Sequence, residues 1–135
     1  MAPLDPSTHG VFSWNELMTT DMDQAQRFYG ELFGWTFEHG TISHGPMAGQ
    51  PYATAKHGYD QLAGIMPMAP NAKNIPPNWG AYVTVSHMVE ALERVAALGG
   101  RVLIPETPIE GLGSFALVQD PQGAVFSLFT LECQE

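Results

Sequence analysis

The chain has 135 residues, of which 44% are hydrophobic and only 14% charged, and its formal net charge is −9. This length and composition predict one globular domain with a substantial core. The chain has 14 acidic residues and five lysines and arginines. This excess of acidic residues argues against nucleic acid or an anionic membrane surface as a partner, because both carry negative charge.

The rest of the composition favours a cytoplasmic protein. We find no apolar stretch of the length needed to span a bilayer, and no basic segment leading into an apolar one near Met1. Cys133 is the single cysteine, so an internal disulfide is excluded. Its position near the chain end favours an incidental thiol over a nucleophile.

Residues 1–10 contain two prolines and Gly10 and are expected to form an N-terminal arm. The first predicted module, 11–68, opens with a strand at 11–18 and a helix whose N-cap is Asp21 or Thr20. Gly34 is expected to stop this helix. Further strands are predicted at 35–41, 51–56 and 61–68.

A linker rich in proline and asparagine, 69–78, is expected to join the first module to a second, 79–131. The second module is predicted to contain a strand at 80–85, a helix with Ser86 as N-cap and Gly99-Gly100 as its stop, and a strand at 101–104. A Pro/Gly loop through Pro105, Pro108, Gly111 and Gly113 is expected to follow. A hairpin with arms 115–119 and 124–131 around Asp120-Pro121-Gln122-Gly123 then closes the module, and 132–135 is a tail.

The two modules repeat each other at a shift of 66 residues. This shift places Met22 on Met88, Ala25 on Ala91, Leu32 on Leu98 and Gly34 on Gly100, and it also aligns the predicted strand starts and helix ends. The helical stripes repeat too: Ala25, Phe28, Tyr29, Leu32 and Phe33 in the first helix, and Met88, Ala91, Leu92, Val95 and Leu98 in the second. The sequence therefore predicts an α+β fold of two tandem βαβββ modules.

Three segments carry a resemblance to a known family. The stretch from Trp14 to Trp35, the helix end Leu98-Gly99-Gly100 and the segment from Asp120 to Phe126 resemble the vicinal oxygen chelate superfamily, which includes glyoxalase I, bleomycin-resistance proteins and extradiol dioxygenases. The resemblance covers about residues 11–131. It implies a single glyoxalase-like domain with a curled mixed sheet that forms a cup, helices outside, a small-molecule ligand inside, and a homodimer.

The resemblance also implies a divalent metal held by four side chains in many members of the superfamily. The corresponding positions in this chain are Trp14, Gly64, Gly80 and Ser127. The first three offer no side-chain ligand atom for such a cation, and a serine hydroxyl is a poor one. We therefore expect a metal-free cup with no cofactor. A metal-dependent lyase or dioxygenase with ligands at other positions is the alternative.

Side-chain alternation predicts which residues face the cup. If Trp14 points inward, so do Glu16 and Met18. Glu16 is the candidate catalytic residue, as a general acid or base beside apolar neighbours. The alternative is a solvated Glu16 or one paired with Arg27 or a lysine. The predicted ligand-binding residues are Trp14, Met18, Met47, Tyr82, Thr84, Ser127 and Phe129.

The histidines give no metal-binding pattern, since none has HxH or HxxxH spacing. The one set that could converge is Glu16 with His44 and His57. The loop 44–50, which carries Met47, is either a movable cover over the pocket or an ordinary connection.

These observations favour a protein that binds a small apolar or aromatic molecule without a metal, with acid–base chemistry by Glu16. A sequestering module without chemistry remains the other alternative, beside the metal-dependent enzyme.

Overall fold

The computed structural model describes residues 5–43, 47–68, 75–109 and 112–131. These residues form eight strands and two helices in the order βαβββ, twice, which confirms the predicted α+β fold class and its tandem modules. The elements are β1 (Phe12–Thr19), α1 (Met22–Phe33), β2 (Thr36–Thr41), β3 (Pro51–His57), β4 (Asp60–Pro67), β5 (Asn78–Thr84), α2 (Met88–Ala97), β6 (Arg101–Ile109), β7 (Gly113–Gln119) and β8 (Val125–Leu131). The chain divides into two compact units, Asn15–Gly80 and Met1–Trp14 with Ala81–Glu135.

The unit Asn15–Gly80 is a mixed sheet with one helix on one face. Its strand order is β2-β3-β4-β1, with β1 parallel to β4 and the other pairs antiparallel. The core consists of the buried side chains Leu17, Ala53 and Ile65, against which Met22, Ala25, Tyr29 and Phe37 pack. Because a two-residue period separates the faces of a strand, this core fixes which residues of each strand lie away from α1.

Helix α1 has the ends that the sequence predicts. Of the two N-cap alternatives, Asp21 is the cap, since its Oδ1 accepts the Gln24 amide at 3.0 Å. At the other end Gly34 adopts a left-handed conformation with φ 78°, and its amide donates to the Gly30 carbonyl. Both signals are local in sequence.

The second unit repeats this plan with strand order β5-β8-β7-β6 and helix α2. Its core contains Val85, Met88, Ala116, Val118 and Leu128. Partly buried Phe126 and residues of α2 pack against this core. Asp120 closes the predicted turn, accepting the Gln122 and Ala124 amides at 2.9 Å.

The described part of the predicted N-terminal arm belongs to this unit. The Gly10 amide donates to the Thr84 carbonyl at 2.8 Å, and the Thr84 amide donates to the Val11 carbonyl at 2.9 Å. The buried Thr84 hydroxyl donates to the Pro6 carbonyl at 2.6 Å. The segment around Gly10 and Val11, at the end of the predicted arm, therefore forms backbone hydrogen bonds with β5.

The prediction of Ser86 as the N-cap of the second helix is wrong. The cap is His87, which makes no side-chain capping bond, and α2 begins at Met88. The Ser86 amide instead donates to Nδ1 of His9 at 2.9 Å. The backbone amide next to the start of α2 is thus hydrogen-bonded by a side chain 77 residues away in the sequence.

The prediction of a loop through Pro105 and Pro108 is also wrong, because both prolines lie within β6, which extends to Ile109. The strand tolerates them since it is the outer strand of its unit and has a partner on one side. Its pairing with β7 shifts register twice, between Val102 and Ile104 and between Ile104 and Thr107. Prolines therefore mark an irregular outer strand here.

Within the described ranges, both helices are too short to cross a membrane. His44 and Cys133, together with most of the predicted linker, fall outside the described residues.

A substitution at Gly100 tests how closely the backbone after α2 packs against its neighbours. A Cβ at this position would lie 2.6 Å from the Gln119 backbone oxygen and 3.0 Å from Val95 Cγ1. We expect Gly100→Ala to lower the free energy of unfolding by about 1–3 kcal/mol, because backbone must move to admit the methyl group. Gly40→Ala is the control, since a Cβ there meets nothing within 4 Å. Urea denaturation measures both, and equal midpoints for the two variants would contradict this packing.

Candidate functional site

Glu16 lies on the face of β1 that points away from α1. Its neighbours Leu17 and Thr19 are buried, at 4% and 8% exposure, and Leu17 belongs to the core under α1. Alternation therefore directs Glu16 and Met18 to the opposite face, where both are half-buried. On that face Glu16 stands beside Gly64, its partner in the parallel pairing of β1 with β4.

The carboxylate of Glu16 is hydrogen-bonded by a tyrosine from two strands away. The Tyr52 hydroxyl donates to Glu16 Oε2 at 2.7 Å. Tyr52 is on β3, and β4 runs between β3 and β1, so the side chain bridges strands roughly 10 Å apart. A bond to an ionised acceptor is among the stronger hydrogen bonds in proteins, and it fixes the direction of the carboxylate.

Gly64 makes this bridge possible. A Cβ at Gly64 would overlap the hydroxyl oxygen and the adjoining ring carbon of Tyr52. The phenol ring thus lies over β4 where any other residue would place its side chain. The absence of a side chain at Gly64 is the condition for the Tyr52–Glu16 hydrogen bond.

Apolar side chains surround this pair on the same face. Met66 stands beside Met18 in the pairing of β4 with β1, and both are half-buried. Lys56 and Glu38 form an ion pair at 3.7 Å nearer the outer strand β2. The face combines one hydrogen-bonded carboxylate with thioether and aliphatic surface, which suits a small and largely uncharged ligand.

Sequence reasoning missed Tyr52 and Met66. For Met66 a signal was available, because the sequence places Gly64 on the inward face and the two-residue period leads from it to Met66. Tyr52 had none, since its contact with Glu16 joins residues 36 positions apart and depends on the pairing of three strands.

Four other predicted binding residues lie in the second unit and share one face of its sheet. Tyr82 pairs with Ser127, and Thr84 with Phe129, while Leu128 between them packs under α2. The face also carries Phe115, which pairs with Phe129 and which sequence reasoning missed. Ser127 and Thr84 are buried, at 8% and 2% exposure. The roles of these four residues in ligand binding stay predictions. The same holds for Trp14, which is half-buried.

Met47 and the histidine set are the two remaining predicted groups. Met47 is half-buried in a turn, where its carbonyl accepts the Gln50 amide at 3.0 Å. His57 is exposed at the end of β3, beyond a register shift between Ala55 and Lys56. The set of Glu16, His44 and His57 cannot be completed, because His44 lies outside the described ranges.

The residues at the positions implied for a metal do not fit one. Tyr52 takes the space above Gly64, Gly80 and Trp14 supply no ligand atom, and Ser127 is buried with a neutral hydroxyl. Elsewhere in the described ranges, no three His, Cys, Asp or Glu side chains are grouped as a metal would require. We therefore derive no chemistry through a metal.

A family model described as a glyoxalase-like domain matches residues 15–129. The chain belongs to the glyoxalase-like family. The match spans both modules and agrees with the resemblance that the repeated strand–helix segments and the Asp120 turn carry.

Curated relatives of this glyoxalase-like chain include the putative glyoxylase CFP32 of Mycobacterium tuberculosis, 33% identical over 121 residues, covering 89% of this chain and 45% of that protein. The anthracycline biosynthesis protein DauV of Streptomyces sp. (strain C5) is 28% identical over 132 residues, covering 89% of this chain and 46% of that protein. The chain thus spans less than half the length of these relatives.

A solved structure shows the shared fold. A glyoxalase/bleomycin resistance protein/dioxygenase superfamily member from Vibrio splendidus aligns with a TM-score of 0.57 and 13% identity, covering 86% of this chain and 95% of that one. This likeness concerns the fold, while the family model over residues 15–129 confirms the glyoxalase-like family that the sequence implies.

A double-mutant cycle tests the space that Gly64 provides for Tyr52. We expect Gly64→Ala to cost about 1–3 kcal/mol of unfolding free energy, because its methyl group displaces the phenol ring. In a Tyr52→Ala background the same change should cost much less, since the ring it would meet is gone. Urea denaturation of the four proteins gives the coupling energy. A coupling near zero would show that Tyr52 does not lie over Gly64.

Proposed function

We propose that this glyoxalase-like chain binds a small apolar or aromatic molecule on the sheet face that carries Glu16, and that Glu16 acts on it as a general acid or base. The observation that carries the proposal is the 2.7 Å hydrogen bond from Tyr52 to Glu16 Oε2. A carboxylate in a fixed direction, beside half-buried Met18 and Met66, is placed to exchange a proton with a bound ligand.

The reaction class that fits this arrangement is proton transfer at a carbon next to a carbonyl group. In that step the C–H bond of the ligand breaks, the proton passes to a Glu16 oxygen, and the electron pair moves onto the carbonyl oxygen as an enolate. Return of a proton from the same Glu16 oxygen completes an exchange at that carbon. The step needs no oxidant or reductant.

The names of the relatives support this class of ligand. CFP32 is named a putative glyoxylase, and DauV is named an anthracycline biosynthesis protein. Anthracyclines are planar polycyclic ketones, so the second name agrees with an aromatic carbonyl ligand. Because the chain spans less than half of either relative, we take from them the chemical class and not a reaction.

Deuterium exchange into simple ketones tests the role of Glu16. A panel of aromatic α-hydroxyketones and aryl ketones is incubated with the protein in D₂O, and incorporation of deuterium next to the carbonyl is followed by mass spectrometry. We expect Glu16→Gln to slow the exchange by about 100-fold or more, because the amide cannot take the proton. Ligand affinity should change little.

Glu38→Gln is the matched control for this experiment. Glu38 is also a sheet carboxylate, but it is exposed and paired with Lys56, so its loss should leave the exchange rate unchanged. An equal rate in wild type and Glu16→Gln would remove Glu16 from the chemistry. Ligand binding with no exchange for any compound would instead favour the sequestering role.

Metal analysis separates the proposal from a metal-dependent enzyme. We expect the purified protein to carry far less than one equivalent of Fe, Mn, Ni or Zn, because the positions implied for ligands are Trp14, Gly64, Gly80 and Ser127. Inductively coupled plasma mass spectrometry measures this content. One tightly held equivalent that Glu16→Gln removes would overturn the metal-free proposal.

A further inference from the structure

A groove of about 410 Å³ lies on the other side of β1 from Glu16. It runs between α1 and residues 77–79 within the unit Asn15–Gly80, and Leu17 and Thr19 of β1 contribute to its lining. These two side chains point to the α1 side of the strand, whereas Glu16 points away from it. The groove is therefore separate from the proposed acid–base site, and its volume is in the range of small-molecule pockets.

Aromatic rings form one wall of the groove: Phe28, Tyr29 and Trp79. The Trp79 Nε1–H donates to the Tyr29 hydroxyl at 3.0 Å, and the two rings meet edge to face with centroids 5.4 Å apart. Trp35 stacks on Tyr29 at 5.8 Å and supports the wall from behind. Phe28 is nonetheless 58% exposed and Trp79 40%. The wall is held in place by its own contacts yet presents aromatic surface to solvent, which favours a planar aromatic ligand.

The polar end of the groove favours a ligand that donates a hydrogen bond. Asp21 is the one charged side chain in the lining among the described residues. Its Oδ1 accepts the Gln24 amide, and within the described structure this amide is the only donor to the carboxylate. Oδ2 is thus available to accept a hydrogen bond from a ligand.

The charge of the ligand follows from two opposing fields. The carboxylate of Asp21 repels an anion. The N-terminus of α1, which Asp21 caps, carries partial positive charge and disfavours a cation. A neutral molecule that donates a hydrogen bond satisfies both conditions.

We propose that this groove binds a neutral planar aromatic molecule bearing a hydroxyl group, with the ring system against Phe28, Tyr29 and Trp79 and the hydroxyl donating to Asp21. The proposal adds a second ligand site to the protein and does not depend on the function of Glu16.

Three naphthalenes that differ in one substituent test the ligand chemistry. β-Naphthol can donate a hydrogen bond, its methyl ether cannot, and β-naphthoate is an anion. Isothermal titration calorimetry should show β-naphthol binding about ten-fold more tightly than the ether, as expected for one bond to a charged acceptor. β-Naphthoate should bind more weakly than either. Equal affinity for β-naphthol and its ether would overturn the role of Asp21.

Matched variants locate the binding. Asp21→Asn keeps an oxygen that can cap α1 but loses the second acceptor, so the preference for β-naphthol over the ether should disappear. Asp23→Asn removes the same charge from the first turn of α1 at a position outside the groove lining, and should leave the preference intact. If both variants lose the preference, or neither does, Asp21 is not the acceptor.

Two further measurements separate this site from the alternatives. Trp79→Leu should weaken both neutral naphthalenes at least about five-fold by removing an aromatic contact, while circular dichroism confirms that the variant is folded. If Trp79→Leu leaves all three affinities unchanged, the naphthalenes bind elsewhere, for example on the face of Glu16, and the groove proposal fails. Analytical ultracentrifugation tests the competing occupant: a dimer that Trp79→Leu dissociates would show that a second copy covers the groove.

Discussion

The alternation of side chains along β1 is the constraint on which the rest of the unit Asn15–Gly80 depends. Leu17 is buried against Ala53 and Ile65 under α1, and its place in the core fixes the strand so that Glu16 and Met18 face the other way. A slip of one residue would move Leu17 out of the core and Glu16 into it, at the cost of exposing the leucine and burying a carboxylate. The hydrophobic core therefore determines where the acid stands.

A missing side chain is as decisive for the site as the side chains present. Gly64 leaves a gap on β4, and the phenol of Tyr52 fills it and reaches Glu16. The superfamily resemblance implies a metal ligand at this same position in many members, whereas glycine here supplies no ligand atom and leaves room for a hydrogen-bond donor. The carboxylate is thereby held by a side chain of β3, which lies two strands away from β1.

Much of the fold follows from short-range signals in the sequence. Gly34 after the helical stripe and the Asp120 turn are read from a few adjacent residues, and the structure has both where the sequence predicts them. The face of Glu16 was predictable as well, because it needs only the strand period and the apolar neighbour Leu17. These features depend on chemistry within one element.

The features that the sequence analysis missed depend on distant partners. Tyr52 reaches Glu16 only because three strands pair side by side. His9 accepts a hydrogen bond from the Ser86 amide, although the two residues are far apart in the sequence. The groove wall likewise needs Trp79 to meet Tyr29, which is 50 residues away. No periodicity within one element encodes such contacts, since they arise only when the register between strands is set.

The prolines of β6 have a consequence for association between molecules. An outer strand with regular backbone donors invites another chain to extend the sheet. Pro105 and Pro108 lack amide hydrogens, and the two register shifts near them break the even spacing that an added strand requires. This edge is therefore protected from strand addition and from the aggregation that follows it.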